Sequence, residues 1–116
     1  MSGDDNVGGL VGRNDAAGTV NNCYSTGSVT GNTNVGGLMG RNFGTESNSF
    51  WDTQTSGQAN SDGGIGKTTV EMQDITTFSG AGWNIIEVAD PGTRNLSYIW
   101  NIVDHETYPF LSWQPV

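Results

Sequence analysis

The chain has a single cysteine, Cys23, which excludes an intrachain disulfide. The isolated thiol is expected to behave as a small buried hydrophobe. As a nucleophile it would need a histidine, and the one histidine, His105, lies in a different part of the chain. Basic residues are scarce: Arg13, Arg41, Lys67 and Arg94 stand against 12 acidic residues, for a formal net charge of −8. With no basic stripe to neutralise phosphates, nucleic acid and anionic membrane surfaces are excluded as partners. No apolar run is long enough to cross a bilayer, so membrane insertion is not expected. The opening Met1-Ser2-Gly3-Asp4-Asp5 is polar, so any targeting signal is expected upstream. Only 34% of residues are hydrophobic, few for a conventional globular core.

What the chain has instead is glycine, 18 residues of it, with many Asn, Ser and Thr. Glycine loses the most backbone entropy on folding, so this many implies tight turns or close backbone approach. Trp51, Trp83, Trp100 and Trp113, with several Tyr and Phe, argue against disorder. The first half repeats. Residues 6–14, Asn-Val-Gly-Gly-Leu-Val-Gly-Arg-Asn, return at 34–42 with Met39 in place of Val11, an offset of 28. After a two-residue shortening, Gly18-Thr19 aligns with Gly44-Thr45, Asn22 with Asn48, and Tyr24 with Phe50. Repeats of this size are stacked supersecondary units. The absence of a 3.6-residue apolar period and the β-branched clusters make the unit a strand-type one. Stacking predicts inward ladders of Val7 over Val35, Leu10 over Leu38, and Tyr24 over Phe50. The paired glycines Gly8-Gly9 and Gly36-Gly37 are read as corners or close backbone contacts, with Gly12 and Gly40 closing each motif. Asn14 and Asn42 suit the turn that follows each motif, because asparagine tolerates the left-handed region and makes local Asx hydrogen bonds.

These residues carry a resemblance. Gly9-Leu10-Val11-Gly12 and Gly37-Leu38-Met39-Gly40, each inside N-V-G-G-L-x-G-R-N, resemble the GLUG motif, a repeat arrayed in large bacterial and archaeal surface or secreted proteins. The tail, with Phe50-Trp51-Asp52, Gly82-Trp83 and Tyr108-Pro109-Phe110, is similar to the segment beyond the last repeat of such arrays. The resemblance implies a β-helical scaffold outside the cell and supplies no catalytic residues.

The second half does not repeat. Thr68 and Glu71 form a capping-box pattern before a helix predicted from Thr69 to about Phe78, with Met72 and Ile75 on one face. Strands are expected over 83–88, 98–103 and 107–113, the last at a sheet edge because of Pro109, with a turn at Asp90-Pro91-Gly92. The expected fold is thus mainly β. A short Gly-rich β-solenoid (β-helix) of two repeats occupies residues 1–60. A mixed, aromatic-rich cap with one short helix occupies 61–116. A β-sandwich or β-roll is the structural alternative.

Several patterns invite chemistry. Gly63-Gly64-Ile65-Gly66-Lys67-Thr68 suggests a phosphate loop, but Ser61 stands where its first glycine belongs, and the segment reads instead as a flexible lead-in to the helix. Asp4-Asp5-Asn6 and Ser61-Asp62 are candidate Ca²⁺ ligands that match no established loop; a solvated acidic surface is the plainer reading. No nucleophile elbow or metalloprotease motif occurs, so the chain is read as non-catalytic and without a cofactor. The four tryptophans are either core and cap residues or a sugar-stacking platform. The expected function is a structural or adhesive module of a surface or secreted protein, with host or cell-surface glycans or proteins as partners and self-association through the exposed N-terminal repeat. The alternatives are a carbohydrate- or Ca²⁺-dependent binding module, and an accessory C-terminal domain of a secreted hydrolase or peptidase.

Overall fold

A computed structural model describes residues 1–115 of the chain. It is mainly β, with strands of two to four residues and three short helices. The chain divides into two compact units, Met1–Thr69 and Val70–Val116.

In the first unit the first repeat forms β1 (Asp5–Gly8), β2 (Val11–Asn14), β3 (Thr19–Asn21) and β4 (Tyr24–Ser25). The second forms β5 (Thr33–Gly36), β6 (Met39–Asn42), β7 (Thr45–Ser47) and β8 (Phe50–Asp52). Each strand pairs in parallel with its counterpart one repeat away: β1 with β5, β2 with β6, β3 with β7, and β4 with β8. The register is Val7 on Val35, Asn14 on Asn42, Thr19 on Thr45 and Tyr24 on Phe50. The two-residue shortening therefore falls in the loop between Asn14 and Thr19, where it leaves both flanking ladders intact. Left-handed asparagines recur at equivalent places: Asn6 and Asn34, at φ 53°, lie inside β1 and β5, and Asn22 and Asn48, at φ 51°, fall between β3 and β4 and between β7 and β8. Asparagine tolerates this region through its local hydrogen bonding.

Two sequence expectations are corrected here. Asn14 and Asn42 are not the left-handed residues. They end strands and form a side-chain ladder, with Asn14 Nδ2 donating to Asn42 Oδ1 at 2.9 Å, while the expected local Asx bond is present at Asn42, whose Oδ1 accepts from Gly44 N–H at 3.1 Å. Residues 63–69 are not a flexible lead-in to a helix either. Ile65–Lys67 is a strand, β9, which pairs in parallel with β8. With it, residues 60–62 cover the second repeat. Gly37 N–H donates to Asn60 O, the Leu38 and Met39 N–H groups donate to Ser61 Oγ, and Asp62 N–H donates to Met39 O. Residues 61–69 thus belong with the repeats, and the division between units lies after Thr69 rather than after residue 60.

Covering explains a difference between equivalent residues. Leu38 is fully buried, whereas Leu10 is 43% exposed. The predicted inward ladder therefore fails at Leu10, which no segment among the described residues covers as residues 60–64 cover Leu38. The core of this unit joins Val20, Leu38, Met39 and Trp51, with Val11 and a half-buried Cys23 against it. A short helix that the sequence pattern does not announce, α1 (Thr53–Ser56), comes directly after β8. Its N-cap, Asp52, is wholly buried and accepts from Gln54 N–H, Thr55 N–H and Thr69 Oγ1.

The second unit holds α2 (Thr69–Met72, whose first residue closes the first unit), α3 (Ile75–Ser79), and a sheet of β10 (Ile85–Glu87), β11 (Trp100–Ile102) and β12 (Phe110–Leu111) in that order. The single predicted helix is broken at Asp74, which caps α3 by accepting from Thr76 N–H. An Asp side chain competes for backbone donors better at a cap than inside a helix, so one helix becomes two. The predicted strands survive in shortened form, and β12 lies at the sheet edge, antiparallel to β11.

Candidate functional site: corners, tryptophans and an arginine–phenylalanine cleft

The motif glycines sit where backbones meet. A Cβ on Gly8 would fall 2.0 Å from Val11 O, and one on Gly36 1.9 Å from Met39 O. At Gly9 it would meet Ser25 Oγ and Gly37 O, at Gly12 Asn6 O, and at Gly40 Asn34 O, all below 2.7 Å. Gly37 is the tightest against a side chain, with its Cβ position 2.0 Å from Trp51 Cδ1. Trp51 is therefore laid flat against the second Gly-Gly corner, 5% exposed, with its Nε1 donating to Gln58 O at 2.8 Å. Val7 is buried beside its partner Val35, which is half-buried. The motif glycines and Val7 are thus held by close packing, whereas Leu10 stays 43% exposed.

The structure does not assemble the four tryptophans into one platform. Trp51 is buried in the first unit. In the second, Trp83 is buried between Phe78 and Trp100, with ring centroids at 4.8 and 4.9 Å. Trp113 alone of the four is widely exposed, at 69%. Asp4 and Asp5 accept from the side chains of Asn32 and Asn34, and Asp62 Oδ2 accepts from Asn42 N–H at 2.7 Å. Among the described residues no three His, Cys, Asp or Glu side chains gather as a metal site. His105 Nε2 lies 3.3 Å from Asp104 Oδ2 on an exposed left-handed turn, φ 66°. Asp74 is held below its ordinary carboxylate value chiefly by the Thr76 hydroxyl, then by the Thr76 N–H, with help from the charge of His105.

A grouping that sequence reasoning missed lies on the outer side of the repeats. Arg13 and Arg41 stand in register on β2 and β6. Both guanidinium carbons lie 4.8 Å from the centroid of the Phe43 ring. Arg13 Nε donates to Asp15 at 3.0 Å, whereas Arg41 Nη1 reaches the neutral Asn34 Oδ1 at 3.4 Å. Beside them opens a cleft of about 430 Å³, lined by Asn34, Arg41, Phe43, Asn60, Ser61 and Asp62 among others. The signal was present: both arginines occupy the eighth position of the repeated nonapeptide, and a repeat in register must bring them together. Phe43, from the non-repeated loop, carried no pattern.

Residues 3–30 match the family described as the GLUG motif. The chain is also similar to a protein of Evansella cellulosilytica whose name describes it as a Gly-rich membrane protein. The two are 38% identical over 110 residues, which take in 89% of this chain and 11% of that protein. The chain thus spans about a ninth of the length of the relative it matches. No solved structure gives a significant match. No helix among the described residues is long and apolar enough to cross a membrane. The chain thus carries the GLUG motif at residues 3–30, with a second copy of its nonapeptide paired in register on the first.

Proposed function

We propose that residues 1–67 are two coils and part of a third of a β-solenoid. In this reading the chain is a non-catalytic structural or adhesive module of a much larger protein displayed at, or secreted from, the cell surface. The observation that carries it is the register: four successive strands of one repeat lie parallel on the same four of the next, across a change of offset from 28 to 26. Translation of one unit onto the next is how a solenoid is generated. The surface assignment is supported by the GLUG motif and by the name of the relative. The test is to insert one further copy of residues 5–32 between the repeats. Small-angle scattering should show the particle lengthen by one strand spacing, about 4.8 Å, at constant cross-section. A change in cross-section would refute the solenoid. Protease treatment of intact cells producing the full protein should release fragments containing this module; protection until lysis would refute surface display.

The same reading extends to self-association. Among the described residues, strands β1 to β4 each have a strand neighbour on one side only, and Leu10 is exposed beside them. An open edge of this kind pairs with another strand when one is supplied. In the isolated chain that strand comes from a second copy. Light scattering at rising concentration should show dimers, and a monomer throughout would refute the point.

A further inference from the structure

The cleft beside Phe43 holds a specific mixture of groups. Arg41 offers only donors and Asp62 only acceptors, so the charged lining sums to zero. Asn34 and Asn60 carry amides able to do both. Phe43 adds an apolar side chain; the residue is 48% exposed although both guanidinium carbons lie 4.8 Å from its ring centroid. Arg41 is not spent on a carboxylate: its side-chain hydrogen bond is a long one, 3.4 Å, to a neutral oxygen. Asp62 has one oxygen fixed by Asn42 N–H, which holds the carboxylate in place at the cleft. The floor is stiff, because Ser61 Oγ is tied to both Leu38 N–H and Met39 N–H and donates back to Met39 O.

We propose that this cleft binds a neutral sugar residue of a glycan. Sugar hydroxyls are at once donors and acceptors and match a lining that supplies Arg41, Asp62 and two amides. The C–H face of the sugar ring would lie on Phe43. A volume of about 430 Å³ is within the range of small-ligand sites. Charge favours neutral over acidic sugars: the charged lining sums to zero, and the chain as a whole carries −8, which repels a polyanion on approach. The site uses Phe43 and the motif arginine rather than the tryptophans. It is separate from the solenoid reading, because Phe43 is exposed and outside the core.

The experiment uses the full chain, with backbone amide NMR signals monitored during titration with cellotriose, maltotriose, chitotriose and, for comparison, trigalacturonic acid. At least one neutral trisaccharide should shift the signals of Arg41, Phe43 and residues 60–62 while leaving that of Trp113 in place. Phe43→Ala and Arg41→Gln should each weaken binding by about tenfold or more, the loss expected when a charged or stacking contact is removed. Asn60→Ala, at an exposed position whose side chain is not needed for the fold, provides a second variant should Arg41→Gln fail to fold. Shifts confined to Trp113, binding of the acidic sugar alone, or no shift with any neutral sugar at millimolar concentration would each overturn the proposal. Unchanged unfolding and scattering in that case would leave the solenoid reading standing.

Discussion

Leu10 and Leu38 occupy the same position of the same nonapeptide, yet removing their side chains should have unequal consequences. Leu38 is fully buried, closed in by the chain at Gly64, whose Cβ position is 2.6 Å from Leu38 Cδ2. Leu38→Ala deletes three carbons, about 2.4 kcal/mol at 0.8 kcal/mol for each. The cavity left behind raises the cost to about 3 to 4 kcal/mol. Leu10 already has 43% of its surface in water. Its truncation loses a little over half of the transfer energy, about 1.4 kcal/mol, and leaves no closed cavity for the structure to carry. The two variants should therefore differ by about 2 kcal/mol. Urea unfolding read through the amide signals of Val7, Val35 and Phe50 reports on the first unit alone. Equal losses at the two positions would refute the claim that residues 60–67 seal one side of the repeats while the other stays open.

Other perturbations have equally definite expected outcomes. Gly37→Ala should destabilise the first unit by about 2 kcal/mol or more, because its new methyl group must displace the Trp51 ring. Gly27→Ala, with nothing within 4 Å, should be neutral or slightly stabilising in the same unfolding assay. Asp52→Ala should cost about 2 kcal/mol through loss of the α1 cap and the Thr69 hydroxyl contact, and thermal melting should show Asp52→Asn recovering part of it. The Asp74 carboxyl is lowered from 3.8 in the folded state, chiefly by the Thr76 hydroxyl. A lowered folded-state pKa gives stability that is fully present above the unfolded value and is lost as pH falls through the folded one. Acid titration of the second unit should show this loss below pH 3.8, and Asp74→Asn should remove that component; an unchanged acid profile would count against the capping role.

The repeat was legible in the sequence because strands paired in parallel register one repeat apart place like residues at equivalent points. The nonapeptide, the shift from 28 to 26 and the pairing of Tyr24 with Phe50 all stem from that register. The glycine pairs were legible as close contacts because no other residue type is so consistently spent where a Cβ has no room. The turn at Asp90 was legible from its Asp-Pro-Gly signal; Gly92 N–H donates to Asp90 Oδ1. Local pattern misled where two roles compete for one residue type. Asparagine serves left-handed positions and side-chain ladders alike: Asn22 and Asn48 are left-handed, Asn14 and Asn42 form a ladder, and Asn6 and Asn34 do both, with Asn34 Nδ2 donating to Asn6 Oδ1 at 3.2 Å.

What the sequence determined by itself was the class of structure: mainly β, repeated, acidic and rich in glycine corners. What only the tertiary structure decided was which surfaces are covered. Ile65–Lys67 has too little apolar pattern to declare itself a strand, and it becomes one because β8 offers an unpaired edge. That pairing, with residues 60–62, buries Leu38 and leaves Leu10 exposed, although the two are indistinguishable in sequence. The cleft likewise joins a motif arginine to Phe43 from a loop outside the motif and to residues 60–62 from the chain beyond the second repeat. Burial and ligand geometry are set by residues distant in the chain, and a repeat encodes only the neighbours it shares with its own copy.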